Sequence, residues 1–288
     1  MISNKQQDIP GLQPCNRTEA DTKILLHLAD AANQGHQIAL VHTVDSDVVI
    51  LALRWFASLG LSELWVCLGS GKKIRDILIH TLSAQLGPST CLALPLFHAI
   101  TGCDTVSHFL GCGKKTAWSA WQSISDLTDT LVALTNHPQE LSLQSQYMQT
   151  LERFVVLMYG KDCGLVKVNE AKIRFFTSGK KSLDASPPTP AALYQHIRSA
   201  ILQGTVWSQA TLVYMDIPDF QDWGWHKDSS GRWLPFWTTL EDSSKACSIL
   251  LQCGCVKSCT RNCKCSRAGV RCTGLCKCEG GCVNNEET

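Results

Sequence analysis

Ile38-Ala-Leu-Val-His-Thr-Val44 runs straight into Asp45-Ser-Asp47, and Val48-Val-Ile-Leu-Ala-Leu53 follows at once. The first run is short, apolar and rich in β-branched residues, so it reads as a buried strand. Asp45-Ser46-Asp47 ends that strand. Val48 to Ser58 then takes helical spacing, with Gly60 behind it as a stop. Upstream, Ile24, Leu25, Leu28, Ala31 and Ala32 recur at helical spacing within Thr18 to Asn33, and Gly35 follows. Downstream, Leu64 to Leu68 is a second short apolar run, closed by Gly69-Ser-Gly71. Helix, strand, helix, strand is the rhythm of an α/β protein with a parallel sheet flanked by helices.

In such sheets ligands bind beyond the carboxyl ends of the strands, where Asp45 and Asp47 fall. Two residues apart in extended backbone, they share a face, and a divalent cation would relieve their repulsion. Equally, Asp45 could start a turn and Asp47 could cap the next helix. Glu19 and Asp21 form a second acidic pair. They converge only if Glu19 lies at the helix start; otherwise Thr18 caps the helix and Asp21 completes a capping box. A third element is Leu96-Phe-His98-Ala-Ile-Thr-Gly102-Cys103-Asp104. It leads through Gly111-Cys-Gly113-Lys114-Lys115-Thr-Ala117 into a new helix. Glycines there allow backbone amides to approach a phosphate. His98 and Cys103 read as packed core residues, and Cys67, Cys91 and Cys112 show no ligand spacing.

Asp126 to Gly160 reads as helical, with Leu151, Val155, Val156 and Met158 as core. Ser182 to Pro190 is a break, and Ala191 to Gln203 is another helix. Trp223, Trp225, Trp233 and Trp237 then cluster in a Gly- and Asp-rich stretch. They read as staples of a loop to the domain, with stacking on bases as the alternative.

Nine cysteines lie between Cys253 and Cys282: Cys253, Cys255, Cys259, Cys263, Cys265, Cys272, Cys276, Cys278 and Cys282. The segment is too short and polar for a core of its own, so metal is the expected organiser. The arithmetic fits three tetrahedral zinc ions, whose twelve bonds nine thiolates supply if three of them bridge. A disulfide knot is the alternative, but the number is odd and no hydrophobic leader opens the chain, which points to a reducing compartment. Lys257, Arg261, Lys264, Arg267, Arg271 and Lys277 face only Glu279 within the array, a local basic balance suited to nucleic-acid phosphates. Part of that balance offsets the thiolates. No stretch is long and apolar enough to span a membrane.

The cysteine spacing, with its Cys282-Val-Asn284 ending, resembles the tesmin-type cysteine-rich (CXC) zinc domain of nuclear DNA-binding proteins. The resemblance implies a three-zinc, nine-cysteine cluster, DNA binding and a nuclear location. Asn262 and Ser266 stand where that family has aromatic residues, so backbone contact is expected rather than sequence readout. In order, Glu19-Ala-Asp21, Asp45-Ser-Asp47, Gly102-Cys-Asp104 and Gly111-Cys-Gly113-Lys-Lys-Thr-Ala117 resemble the PIN-like domain of flap-endonuclease and XPG-type nucleases. That likeness implies Mg2+ or Mn2+ held by Glu19, Asp21, Asp45, Asp47 and Asp104. It also implies a helix-hairpin-helix whose Gly111, Gly113, Lys114 and Lys115 grip DNA. Overall the chain is similar to a group of animal proteins whose sequences suggest a mobile-element origin and which share the His98 to Asp104 motif.

The expected division is 1–16 as a disordered or truncated start, 17–135 as the PIN-like domain, 136–203 as a helical extension, 204–246 as a Trp-rich connector and 247–284 as the zinc domain. Met1 to Asn16 do not read as the metal-bearing first strand of those nucleases. The expectation is therefore a DNA-binding zinc protein with weak or absent catalysis. The alternative is an active structure-specific endonuclease targeted by its zinc tail.

Overall fold

A computed structural model describes residues 12, 15–17, 19–177, 185–238, 252–256, 259, 263–267 and 271–285. Expectations for most of the 1–16 start, for Thr18, for 182–184 and for 239–246 lie outside the described residues, as do those for Lys257, Arg261 and Asn262. Met1–Trp237 and Thr238–Thr288 form two compact units.

The first unit is mixed α/β. Helix α1 (Ala20–Asn33) precedes strand β1 (Ile38–Thr43), helix α2 (Ser46–Leu59) and strand β2 (Glu63–Leu68). β1 and β2 are parallel in the register Ile38↔Glu63 to Thr43↔Leu68, joined across α2. A third strand that the sequence reading did not anticipate, β3 (Arg75–Leu78), returns antiparallel to β2, so the sheet is not all parallel.

One expectation for β1 is corrected. It is not a buried strand: Ile38 and Leu40 are 63% and 57% exposed, and only Val41 is buried. β1 is the sheet edge, with β2 as its one neighbour among the described strands. Its burial alternates because the core lies on one face only.

That core centres on α4 (Pro88–Ile100), buried almost continuously from Cys91 to Ile100. Around α4 pack α2, α3 (Ile79–Leu86), α6 (Leu127–Asn136) and α9 (Pro190–Trp207). Helices α5 (Lys114–Trp121), α7 (Gln146–Tyr159) and α8 (Val168–Thr177) continue the same hydrophobic cluster, to which Leu151, Val155, Val156 and Met158 belong. A short antiparallel ribbon, β4 (Trp225–Lys227) and β5 (Trp233–Pro235), follows α9. Among the described residues, no helix is long and apolar enough to cross a membrane.

Candidate functional site

Three chain segments bring the predicted acids together: the starts of α1 and α2 and the loop after α4. Asp45 is the N-cap of α2; its extended backbone lets Oδ1 accept from the Asp47 amide at 2.8 Å. The strand ends at Thr43 and the helix starts at Ser46, so Asp45 and Asp47 converge through a helix start and not through the alternation of a strand. Asp47 lies in the first turn, where carboxylates complement the helix dipole. It is buried, with its Oδ1 2.8 Å from Nε2 of the equally buried His98. The sequence reading placed His98 in the core, where it lies, but missed that it holds a carboxylate.

Glu19 is the N-cap residue of α1, in extended conformation and with no capping bond from its side chain. This is the condition under which the Glu19/Asp21 pair could converge. Gln203 Nε2 donates to both Glu19 carboxylate oxygens, at 3.1 and 3.3 Å, and Thr105 Oγ1 donates to Gln203 Oε1 at 2.7 Å. Gln203 and Thr105 carried no local signal; their role arises because α9 returns from a distant part of the chain.

Carboxylate oxygens of Asp21, Asp45 and Asp47 lie within 4.8 Å of one another. Burial, followed by the charges of Asp45, Asp47, Glu19 and Asp104, raises the Asp21 pKa to about 6. Glu19, Asp21, Asp47 and Asp104 border one cavity of about 260 Å³. An adjoining one of about 290 Å³ is lined by Asp45, Asp47, Asp104 and His98. Such a cluster of anions can hold a divalent cation.

A raised carboxyl pKa means the folded state binds the proton more tightly, so stability falls as pH rises through the interval between about 4 and 6. In metal-free protein, the difference in thermal midpoint between Asp21→Asn and wild type should grow across that interval, in favour of the variant. A constant difference would show that Asp21 does not feel its neighbours.

Gly102, two residues before Asp104, has φ +103°; a Cβ there would fall 2.6 Å from His108 Cβ and 2.9 Å from its Cα. Gly102→Ala is expected to cost on the order of 3 kcal/mol in chemical denaturation, combining left-handed strain with the clash. Unchanged stability would mean the loop has other ways to close.

Lys114, expected to grip DNA, turns its ammonium inward. Its Nζ donates to His98 O at 2.6 Å, Thr101 Oγ1 at 2.9 Å and Gly102 O at 2.5 Å, closing the end of α4. Burial pulls its pKa down to about 8, against the opposing pull of Cys103 and Asp47. Lys115 is exposed beside it. Gly111 has φ +76°, and Gly113 is the extended N-cap of α5.

In the second unit the sulfurs of all nine cysteines crowd together. Four overlapping quartets can each hold a metal ion, and Cys253 and Cys272 belong to three of them. The shortest Sγ separations are 3.6 Å (Cys265–Cys276 and Cys259–Cys272), and within each quartet the sulfurs lie within 4.8 Å of one another. A tetrahedron of thiolates at 2.3 Å from zinc has edges of about 3.8 Å, whereas a disulfide is about 2.05 Å long. The nine thiols are free of disulfides. Burial pushes the Cys259 and Cys272 thiols upward, so ionising them together needs a cation among them. Lys264, Arg267 and Arg271 are exposed on this unit, the first two on a single helical turn, Lys264–Arg267.

Protein-family models, curated proteins and solved structures were compared with the chain, and none matches it.

Proposed function

We propose that the chain is a nucleic-acid-binding protein with two metal centres, a PIN-like phosphodiester-hydrolysing site and a tesmin-like zinc tail that holds DNA in the nucleus. The observation that carries this reading is the convergence of Asp21, Asp45 and Asp47, with Glu19 and Asp104 bordering the same space. A scaffold has no need to gather acids whose mutual charge disfavours ionisation. Mg2+ or Mn2+, when bound, would polarise a phosphate oxygen and lower the pKa of a water. Asp21, Asp45 and Asp47 supply the anionic ligands, His98 fixes Asp47, and Gln203 fixes Glu19. The tail takes three zinc ions on nine thiolates and presents Lys264, Arg267 and Arg271 to the DNA backbone.

One observation favours a second reading, DNA binding without cleavage. Among the described residues, Lys114 is the one Lys or Arg lining the cavities around the acids, and its ammonium is already engaged. Incubating the zinc-loaded protein with labelled single-stranded and flap DNA in Mn2+ separates the two. Cleavage that stops on chelation of Mn2+ supports hydrolysis. Intact DNA that is still retained by the protein supports the second reading.

A further inference from the structure

The Trp-rich stretch was read as a staple, and the structure gives it a second role. A cavity of about 470 Å³ opens beside the carboxylates, within the size range of sites that enclose small organic groups. Its walls are Leu202 and Val206 of α9, together with Met215, Phe220, Trp225 and Trp233. Its far border is Glu19, Asp104, Thr105 and Gln203, which also border the carboxylate cavity, so the two spaces lie side by side.

This wall is built rather than incidental. Gly224, at φ +78°, sits so close to α9 that a Cβ there would lie 2.4 Å from Ser199 Oγ and 2.6 Å from Gln195 O. Ser199 Oγ donates to Trp223 O at 3.2 Å. Trp233 is pinned by Lys227, whose Nζ lies 4.7 Å from its ring centroid, and by the Phe220 ring at 5.5 Å.

We propose that this cavity is a nucleobase pocket, which takes one unstacked base of a single strand while the adjoining phosphate lies at the carboxylates. The proposal rests on the phosphodiester reading above and names its substrate as single-stranded or frayed nucleic acid. Aromatic and aliphatic walls suit a flat, neutral ring. Among the described residues no Lys or Arg lines the cavity, so the anionic part of the ligand stays outside it, where a cation on Asp21, Asp45 and Asp47 would receive it. A base stacked within a duplex offers no free face to the rings, whereas an unstacked base offers two. The competing occupant is a methylated ammonium group, which aromatic rings beside carboxylates also suit.

The test irradiates the zinc-loaded full chain with an oligonucleotide of 5-iododeoxyuridine, in Ca2+ to hold back cleavage, and maps the crosslinked peptides. Crosslinks are expected between Phe220 and Trp233. Val206→Trp, which fills the cavity from α9 and leaves the ribbon's own sequence unchanged, should lower their yield roughly tenfold, the factor carried by one base–aromatic stack. Trp225→Ala should do the same, with the thermal midpoint reporting its fold. Crosslinks confined to the cysteine-rich unit, or a yield unchanged by Val206→Trp in folded protein, would overturn the pocket. Displacement of the ribbon crosslink by millimolar tetramethylammonium, but not by sodium, would also overturn it, in favour of an ammonium cage. Hydrolysis is read separately: crosslinking without cleavage in Mn2+ keeps the pocket and removes the nuclease reading. Cleavage without crosslinking does the reverse.

Discussion

Stripping metal from the protein should expose the thiols between Cys253 and Cys282 together and release about three equivalents of zinc. Among the described residues, the buried cluster of this unit consists of cysteines alone. Without cations, its crowded sulfurs are either neutral thiols that bond weakly or thiolates that repel. In small cysteine domains the apparent contribution of structural zinc is on the order of 10 kcal/mol, more than such a segment has from any other source. Thiol labelling before and after a zinc-specific chelator measures the change. The Met1–Trp237 unit, with its own hydrophobic core, should keep its thermal transition. The quartets also rank the cysteines. Cys253→Ser or Cys272→Ser disturbs three of them, whereas Cys255→Ser or Cys282→Ser disturbs one, so the first pair should release more metal. Labelling that chelator does not change would show that no metal holds the tail.

Legibility in the sequence followed the range of the signal. Local pattern identified the strand-turn-helix around Asp45, because a short apolar run, a turn and then helical spacing are all contained in one window. α9 was located but ended early: it runs to Trp207, and Gln203, taken as its end, lies inside it. β3 and the solvent-facing half of β1 were not legible. Burial of a strand depends on which faces its neighbours cover, and Ile38 and Leu40 look like core residues until the sheet edge is known. The acids were found by motif order, but their supports were not. His98 on Asp47 and Gln203 on Glu19 are contacts between distant segments, and no short window contains both partners. The inward contacts of Lys114 were not legible either. A lysine after Gly-x-Gly suggests a free cation, yet the unpaired carbonyls ending α4 lie within its reach.

Replacing Asp45 and Asp47 with asparagine should abolish Mn2+-dependent cleavage by a factor of at least about 100 while leaving the fold intact. The choice of residue decides what the experiment means. Asp45 has a structural duty as the cap of α2, and Asp45→Ala would remove about 1 kcal/mol of helix stability along with the charge. Asp47→Ala would strand the buried His98. Asparagine keeps both arrangements, since its amide oxygen caps as well as a carboxylate and still accepts from His98 Nε2. What it removes is anionic charge within the 4.8 Å cluster. The variants should therefore be no less stable than wild type in metal-free buffer, because the repulsion that raises Asp21 is reduced. They should also lose the rise in thermal midpoint that Mn2+ gives the wild type. Cleavage that survives both substitutions would reduce Asp45 to a helix cap and Asp47 to a partner for a core histidine.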